Sequence, residues 1–282
     1  MLNLLFYALD YISEKKGNSD LFVSFCIAAY NSGSTLESVV RSISISLPYE
    51  VVITDNNSDD NTLEVLSMLE TEFQNVRHIR KRTNRGEGRN LAIENAKGNI
   101  IVILDADVDY SGIEKAIFEF LRLERHNEKV VTIRPVDQGA GNSPIIVANR
   151  STFEKIGGYP SLLGSEDKYL YETAKALDAY EVIEGDFNFL PLMVKGMTSG
   201  AERRYTRGTW QMIIRRLIIN RDMVFVYEPT FNAFKNNLKL DGNKGTLIAL
   251  IEYFLARIMS HFVKEETIKE RVQRLRNQGK VF

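Results

Sequence analysis

Five consecutive apolar residues, Ile100-Ile101-Val102-Ile103-Leu104, run directly into Asp105-Ala106-Asp107-Val108-Asp109. A strand that is apolar on both sides has no face to offer water, so it belongs inside a sheet covered on both faces. Such sheets are mostly parallel and are built from alternating strands and helices. The carboxylates then fall at a strand's carboxyl end, the edge where open α/β sheets bind ligands. If the extended conformation continues, Asp105, Asp107 and Asp109 share one face while Ala106 and Val108 turn inward. Three converging carboxylates repel one another unless a cation or a hydrogen-bond network offsets them. Oxygen-only donors with no His or Cys beside them suit Mg²⁺ or Mn²⁺, and such an ion keeps positions for phosphate oxygens. The ligand this implies is a nucleotide diphosphate.

The segments on either side repeat the strand–helix alternation. Residues 21–28 form an apolar run of strand length, and Asn31-Ser32-Gly33-Ser34 is a turn in which Ser32 or Ser34 caps a helix over 35–44. Residues 50–54 read as a second buried strand ending at Asp55, followed by a polar loop to Asn61 and an amphipathic helix over 62–72. A third strand at 76–80 and a helix at 90–96, stopped by Lys97-Gly98, lead into the acidic strand. Beyond it the pattern predicts a helix over 111–125, with Asp109 a candidate cap. Strands follow at 130–134 and 145–148, separated by a flexible loop at 139–143. Ser151-Thr152-Phe153-Glu154 fits a capping box before a short helix closed by Gly157-Gly158.

This divides the chain into an N-terminal amphipathic helix at 1–20, an α/β domain over 21–200 and a helical extension over 201–282. The first segment lacks the basic lead and cleavage site of a signal peptide. Thirty-six basic residues nearly cancel 37 acidic ones, which removes the electrostatic case for nucleic acid. The one cysteine, Cys26, lies in an apolar run; it reads as a small core residue and fits a reducing, cytoplasmic setting. Residues 246–259 are apolar but interrupted by two charges, Glu252 and Arg257. They suit packing on the domain, a homodimer face, or a helix lying at a membrane surface as a peripheral contact.

Four segments carry a further signal in order. They are Phe25-Cys26-Ile27-Ala28-Ala29-Tyr30-Asn31, the run from Glu50 through Asp55 to Thr62, and Asn84-Arg85-Gly86-Glu87-Gly88-Arg89-Asn90 leading to Asp105-Ala106-Asp107. The fourth is Gly157-Gly158-Tyr159-Pro160 followed by Gly164-Ser165-Glu166-Asp167. Over residues 21 to about 180 this resembles the family 2 glycosyltransferases, inverting nucleotide-sugar enzymes with a GT-A fold, a mostly parallel Rossmann-like sheet flanked by helices. The resemblance implies an Mn²⁺- or Mg²⁺-dependent transfer of sugar from a UDP- or GDP-linked donor to a glycan or lipid-linked acceptor. It places Ala28, Tyr30, Asp55, Asn84, Arg89, Asp105 and Glu166 at the nucleotide sugar, Asp107 of the D-x-D signature at the metal, and Asp167 as general base. One departure is Asn56, which stands where many relatives have a second aspartate.

Each residue has a plainer reading. Tyr30 fits a core tyrosine, Asp55 an Asx turn with Asn57 and Ser58, and Arg85 and Arg89 a solvated basic face. The Glu166-Asp167 pair fits a helix N-terminus favoured by the dipole. Competing functions have weaker support. A sugar nucleotidyltransferase would carry a glycine-rich basic loop after the first strand, where Ala28-Ala29-Tyr30-Asn31 stands. A dinucleotide fold would need a third glycine after Gly86-Glu87-Gly88. A non-catalytic binding protein of the same fold would have no use for Asp105, Asp107 and Asp167 together. No Gln-x-x-Arg-Trp motif of processive synthases is present.

Overall fold

Seven strands form one sheet in the order β3-β2-β1-β4-β7-β6-β8. They are β1 (Val23–Ala29), β2 (Tyr49–Asp55), β3 (Val76–Arg80), β4 (Ile100–Leu104), β6 (Val130–Pro135), β7 (Ile145–Asn149) and β8 (Tyr180–Gly185). A two-residue strand β5 (Val108–Asp109) pairs with β9 (Leu190–Pro191) beside it. The computed structural model describes residues 21–136, 145–192, 217–218, 221–222, 224–226, 251, 253–263 and 265–280. The expected helix at 1–20 and the loop at 139–143 lie outside the described residues.

Strands β3, β2, β1 and β4 are mutually parallel, as the apolar sequences of β1, β2 and β4 predict. β7 runs antiparallel to both β4 and β6, and β6 and β8 are parallel. β7 is therefore the one reversed strand in an otherwise parallel sheet. Each central strand feeds two cores. Phe25, Ile27, Val51, Ile53, Val102 and Leu104 pack on one face, while Cys26, Val52, Ile101 and Ile103 pack on the other. Full burial of the Cys26 thiol pushes its pKa far above the ordinary thiol value, which fits a packing residue.

The helices are α1 (Leu36–Ser42), α2 (Thr62–Glu72), α3 (Arg85–Asn95), α4 (Ile113–Arg122), α5 (Arg150–Ile156), α6 (Glu166–Ala176) and α7 (Ile268–Asn277). Four differ from expectation in their starts, α4 among them because it begins at Ile113 with Gly112 at its N-cap. Neither Ser32 nor Ser34 caps α1; Thr35 holds the N-cap position and its hydroxyl donates instead to Ala106 O at 2.8 Å. The Ser151–Glu154 capping box does not form, because α5 starts earlier with Asn149 at its N-cap. Helix α3 begins at Arg85, five residues before its predicted start at Asn90. The cause is a capping box that the glycines obscured in the sequence: Asn84 Oδ1 accepts from Glu87 N at 2.9 Å and Glu87 Oε2 accepts from Asn84 N at 3.0 Å.

Gly86 and Gly88 inside α3 are close-approach residues. A Cβ on Gly86 would lie 1.9 Å from the carbonyl oxygen of Pro160, whereas one on Gly88 would meet Thr54 and Thr83 hydroxyls at 3.2 Å. Helix propensity alone would make Gly→Ala favourable by about 1 kcal/mol, but a backbone overlap of that depth outweighs it. Gly86→Ala is expected to destabilise by about 2 kcal/mol or more, lowering Tm by roughly 4–8 °C. Gly88→Ala should stay near wild type. Thermal unfolding of the two variants checks the pair, and equal melting points would refute the close-contact account.

Of the C-terminal extension, residues 253–260 are helical and α7 docks on the domain through Val272 and Leu275. Ile251, Phe254, Leu255, Ile258 and Phe262 are exposed large hydrophobics at helical spacing. Among the described residues no helix is long and apolar enough to cross a membrane.

Candidate active site

The carboxyl ends of β1, β2 and β4 open into a crevice lined by Ala28, Tyr30, Thr54, Asn56, Asp105, Ala106 and Asp107. The start of α3 contributes Thr83, Asn84, Arg85 and Arg89, and Leu163 closes the far side. The chain leaves the extended conformation after Leu104, with a turn at Ala106 and Asp107. The expected alternation of three acids on one face therefore stops there. Asp105 and Asp107 line the crevice, while Asp109 Oδ1 accepts from Ser111 N at 2.8 Å in a local turn and does not cap α4, whose N-cap is Gly112.

The acidic turn is held from behind. Asp105 N donates to the Tyr110 hydroxyl at 2.8 Å, Thr35 donates to Ala106 O, and Asp107 O accepts from Leu192 N at 2.8 Å. Tyr110 is fully buried, and burial drives its phenol pKa well up, so it stays protonated. Its place in this support was not legible in the sequence, where it is simply the residue after Asp109.

Arg89 is the hub. Its side chain is 5% exposed, and its guanidinium lies 5.2 Å from the centroid of the Tyr159 ring. One nitrogen meets Asp105 Oδ1 at 3.0 Å; another meets Glu166 Oε1 at 3.0 Å and also Asp167 Oδ1. Arg85 reaches the same Glu166 oxygen at 3.2 Å. This spans residues that the sequence separates by up to 78 positions. Glu166 is buried, and burial pushes its carboxyl above the ordinary range against the pull of Arg85 and Arg89. Asp167 is 34% exposed and faces outward from the same helix start. Among the described residues, buried Glu166 Oε2 and Arg89 Nε have no hydrogen-bond partner.

The nucleobase candidates separate. Tyr30 and Ala28 line the crevice, and the Tyr30 hydroxyl lies 3.4 Å from Asp59 Oδ2. Asp55 is fully buried: it accepts from the Ser58 amide at 3.1 Å and from the Ser58 hydroxyl, and Arg80 Nε lies 3.3 Å away. Its neighbour Asn56 reaches the crevice and accepts from Thr83 N at 2.7 Å. Asn84 caps α3 and donates to Ser161 Oγ at 2.9 Å while lining the crevice.

Residues 24–155 match the model of glycosyl transferase family 2. The matching segment is just under half of the chain. A stretch of 118 residues is 31% identical to a poly(ribitol-phosphate) beta-glucosyltransferase of Bacillus spizizenii, covering 39% of this chain and 18% of that protein. Another of 92 residues is 32% identical to the glycosyltransferase AglE of Haloferax volcanii, covering 30% of each. The chain thus matches less than a third of the length of these curated relatives. Among solved structures, S. aureus TarS 1–349 in complex with UDP-GlcNAc superposes with a TM-score of 0.53 at 19% identity, over 83% of this chain and 81% of that one. The mannosyltransferase PcManGT from Pyrobaculum calidifontis, in complex with GDP-Man and Mn²⁺, gives 0.54 at 18% identity, over 89% and 76%. The fold shared with these structures is the GT-A architecture.

Its acidic turn suits a metal that arrives with a nucleotide. Among the described residues no three acidic, His or Cys side chains form a preformed metal cluster. Asp105 is half-exposed despite its Arg89 bond, and Asp107 stands beside it at the crevice. One or two carboxylates completed by phosphate oxygens is how Mg²⁺ is usually held. Asp107, with Asp105 as the second donor, would hold Mn²⁺ or Mg²⁺ here.

Proposed function

We propose that this protein transfers a sugar, with inversion, from a UDP- or GDP-linked donor to a hydroxyl of a glycan or lipid-linked acceptor. The observation that carries this reading is the Arg89 hub, which brings the acidic pair at the start of α6 to the carboxyl end of β4. A candidate proton acceptor and a candidate diphosphate-binding turn then share one guanidinium at the crevice. Sugar nucleotides in complex with structurally similar proteins support the donor class.

In this reading Ala28 and Tyr30 form one wall of the nucleoside site, the Tyr30 ring offering an apolar face and its hydroxyl a polar edge. Asp55 shapes that wall from behind by ordering Ser58, and Asn56 presents its amide to the crevice. Asn84 fixes the start of α3, where Arg85, 36% exposed, is better placed than buried Arg89 to meet a phosphate. The cation, when bound, offsets charge on the departing diphosphate. Asp167 takes the acceptor hydroxyl's proton as its oxygen attacks the anomeric carbon from the face opposite the diphosphate. Glu166 orients the hub beneath it.

Calorimetric titration with UDP and GDP, with and without Mn²⁺, tests the reading. Metal-dependent binding of one nucleotide is expected, and Asp107→Ala should weaken it at least tenfold and abolish most of the metal dependence. Absence of binding to either nucleotide in the presence of Mn²⁺ would refute the donor site.

A further inference from the structure

The turn that presents Glu166 and Asp167 is not held by the family 2 segment alone. Ser165, the N-cap of α6, has a left-handed φ of 62° and makes no side-chain capping bond. A non-glycine residue in that region is strained and persists only where its surroundings hold it. The hold comes from a distant carboxylate: Asp222 Oδ2 accepts from Leu163 N at 2.7 Å and from Gly164 N at 3.1 Å. Asp222 is fully buried, and Arg221 Nε donates to its other oxygen at 2.8 Å. Phe225, one turn further on, packs with Leu162 and Tyr169 on either side of the same turn. Residues 221–226 lie well beyond the match to the family model, which ends at 155.

We propose that Asp222 is a positioning residue: it fixes the Leu163–Gly164 turn so that Asp167, at the start of α6, is held against Arg89 at the crevice edge. The inference rests on the proposed role of Asp167 as base. A carboxylate is suited to the task because one ionised oxygen accepts two amide hydrogens at once. Its loss would free the turn to relax out of the strained φ and swing the acidic pair, while the nucleotide side of the crevice, built on β1, β2 and β4, keeps its shape.

The test is Asp222→Asn, in which the amide confronts Arg221 and weakens the grip. Nucleotide release from UDP- and GDP-sugars in water is measured alongside binding of UDP and GDP with Mn²⁺. We expect kcat to fall at least tenfold, with donor KM and nucleotide Kd within about twofold of wild type. A merely structural role would lose activity in proportion to folded protein and would add to the effect of Asp167→Asn. Here the double variant should be no slower than Asp167→Asn alone, since Asp222 acts through that residue. Wild-type kcat in folded Asp222→Asn, a loss confined to KM, or additive losses would overturn the proposal. If Asp222→Asn does not fold, Arg221→Gln loosens the same carboxylate while leaving its amide bonds. A severalfold fall in kcat with the same non-additivity then supports the proposal, and an additive or absent effect overturns it. A wild-type protein that neither binds nor turns over sugar nucleotides would instead count against the proposed function.

Discussion

Asp167→Asn is expected to reduce turnover of the sugar nucleotide by about 10²–10⁴-fold, the usual range for losing a general base. Asparagine keeps the size of the side chain, and its amide oxygen can still accept from Arg89, so the hub and the fold should survive. What it cannot do is take a proton. Asp167 is a third exposed, at the start of α6, and meets Arg89, which lines the crevice. The loss should therefore appear in kcat, with donor KM and the Mn²⁺-dependent affinity for nucleotide nearly unchanged. Nucleotide release from UDP-glucose, UDP-GlcNAc and GDP-mannose, with water as the minimal acceptor, gives the readout. Full turnover in Asp167→Asn would move the base to another residue. A matching fall in nucleotide affinity would mean that Asp167 serves the donor and not the acceptor.

The parallel half of the sheet was legible because β1, β2 and β4 are apolar on both faces, a pattern that only a doubly covered strand tolerates. Helix α2 was equally clear, since its periodicity runs uninterrupted from Thr62 to Glu72. The start of α3 was hidden because Gly86 and Gly88 read as loop signals, whereas their role is to let the helix touch Pro160 and Thr54. The reversed direction of β7 left no trace in Ile145–Asn149, because strand direction is set by connections and neighbours rather than by side chains. In the crevice, local order disclosed the acidic turn and the Glu166-Asp167 pair. It did not disclose that Arg89 spans both, nor that Asp222 supports the turn between them. The links from Arg89 to the acidic pair and from Asp222 to the turn join residues 58 to 78 positions apart, and no spacing rule reaches that far. The same limit explains Asp55, whose turn with Ser58 was foreseen but whose complete burial beside Arg80 depends on β3.

Arg89→Met should be the most destabilising single change in this site. Methionine roughly preserves the buried volume and the contact with the Tyr159 ring but removes the charge that holds three carboxylates. Glu166, almost fully buried, would keep only Arg85, while Asp105 and Asp167 would lose their shared counterion. Removing one partner of a buried ion pair costs about 3–5 kcal/mol, against a total stability of roughly 5–15 kcal/mol. A fall in Tm of about 10 °C or more is expected at pH 7.5. The sign with pH is set by the carboxyls. Burial already holds the Glu166 pKa above its unfolded value, and loss of the cation raises it further. A group with a raised folded pKa binds more protons folded than unfolded, so its contribution to stability falls as pH rises through the carboxylate range. The gap between Arg89→Met and wild type should therefore narrow on acidification from pH 7.5 towards pH 5, as the uncompensated charge is neutralised. Arg89→Lys separates charge from geometry: an ammonium restores a cation but not the fork that reaches three carboxylates at once. Its Tm should fall between the other two. Thermal unfolding of all three proteins at both pH values decides the matter, and an Arg89→Met melting point within about 2 °C of wild type at pH 7.5 would show that the hub does not hold the site together.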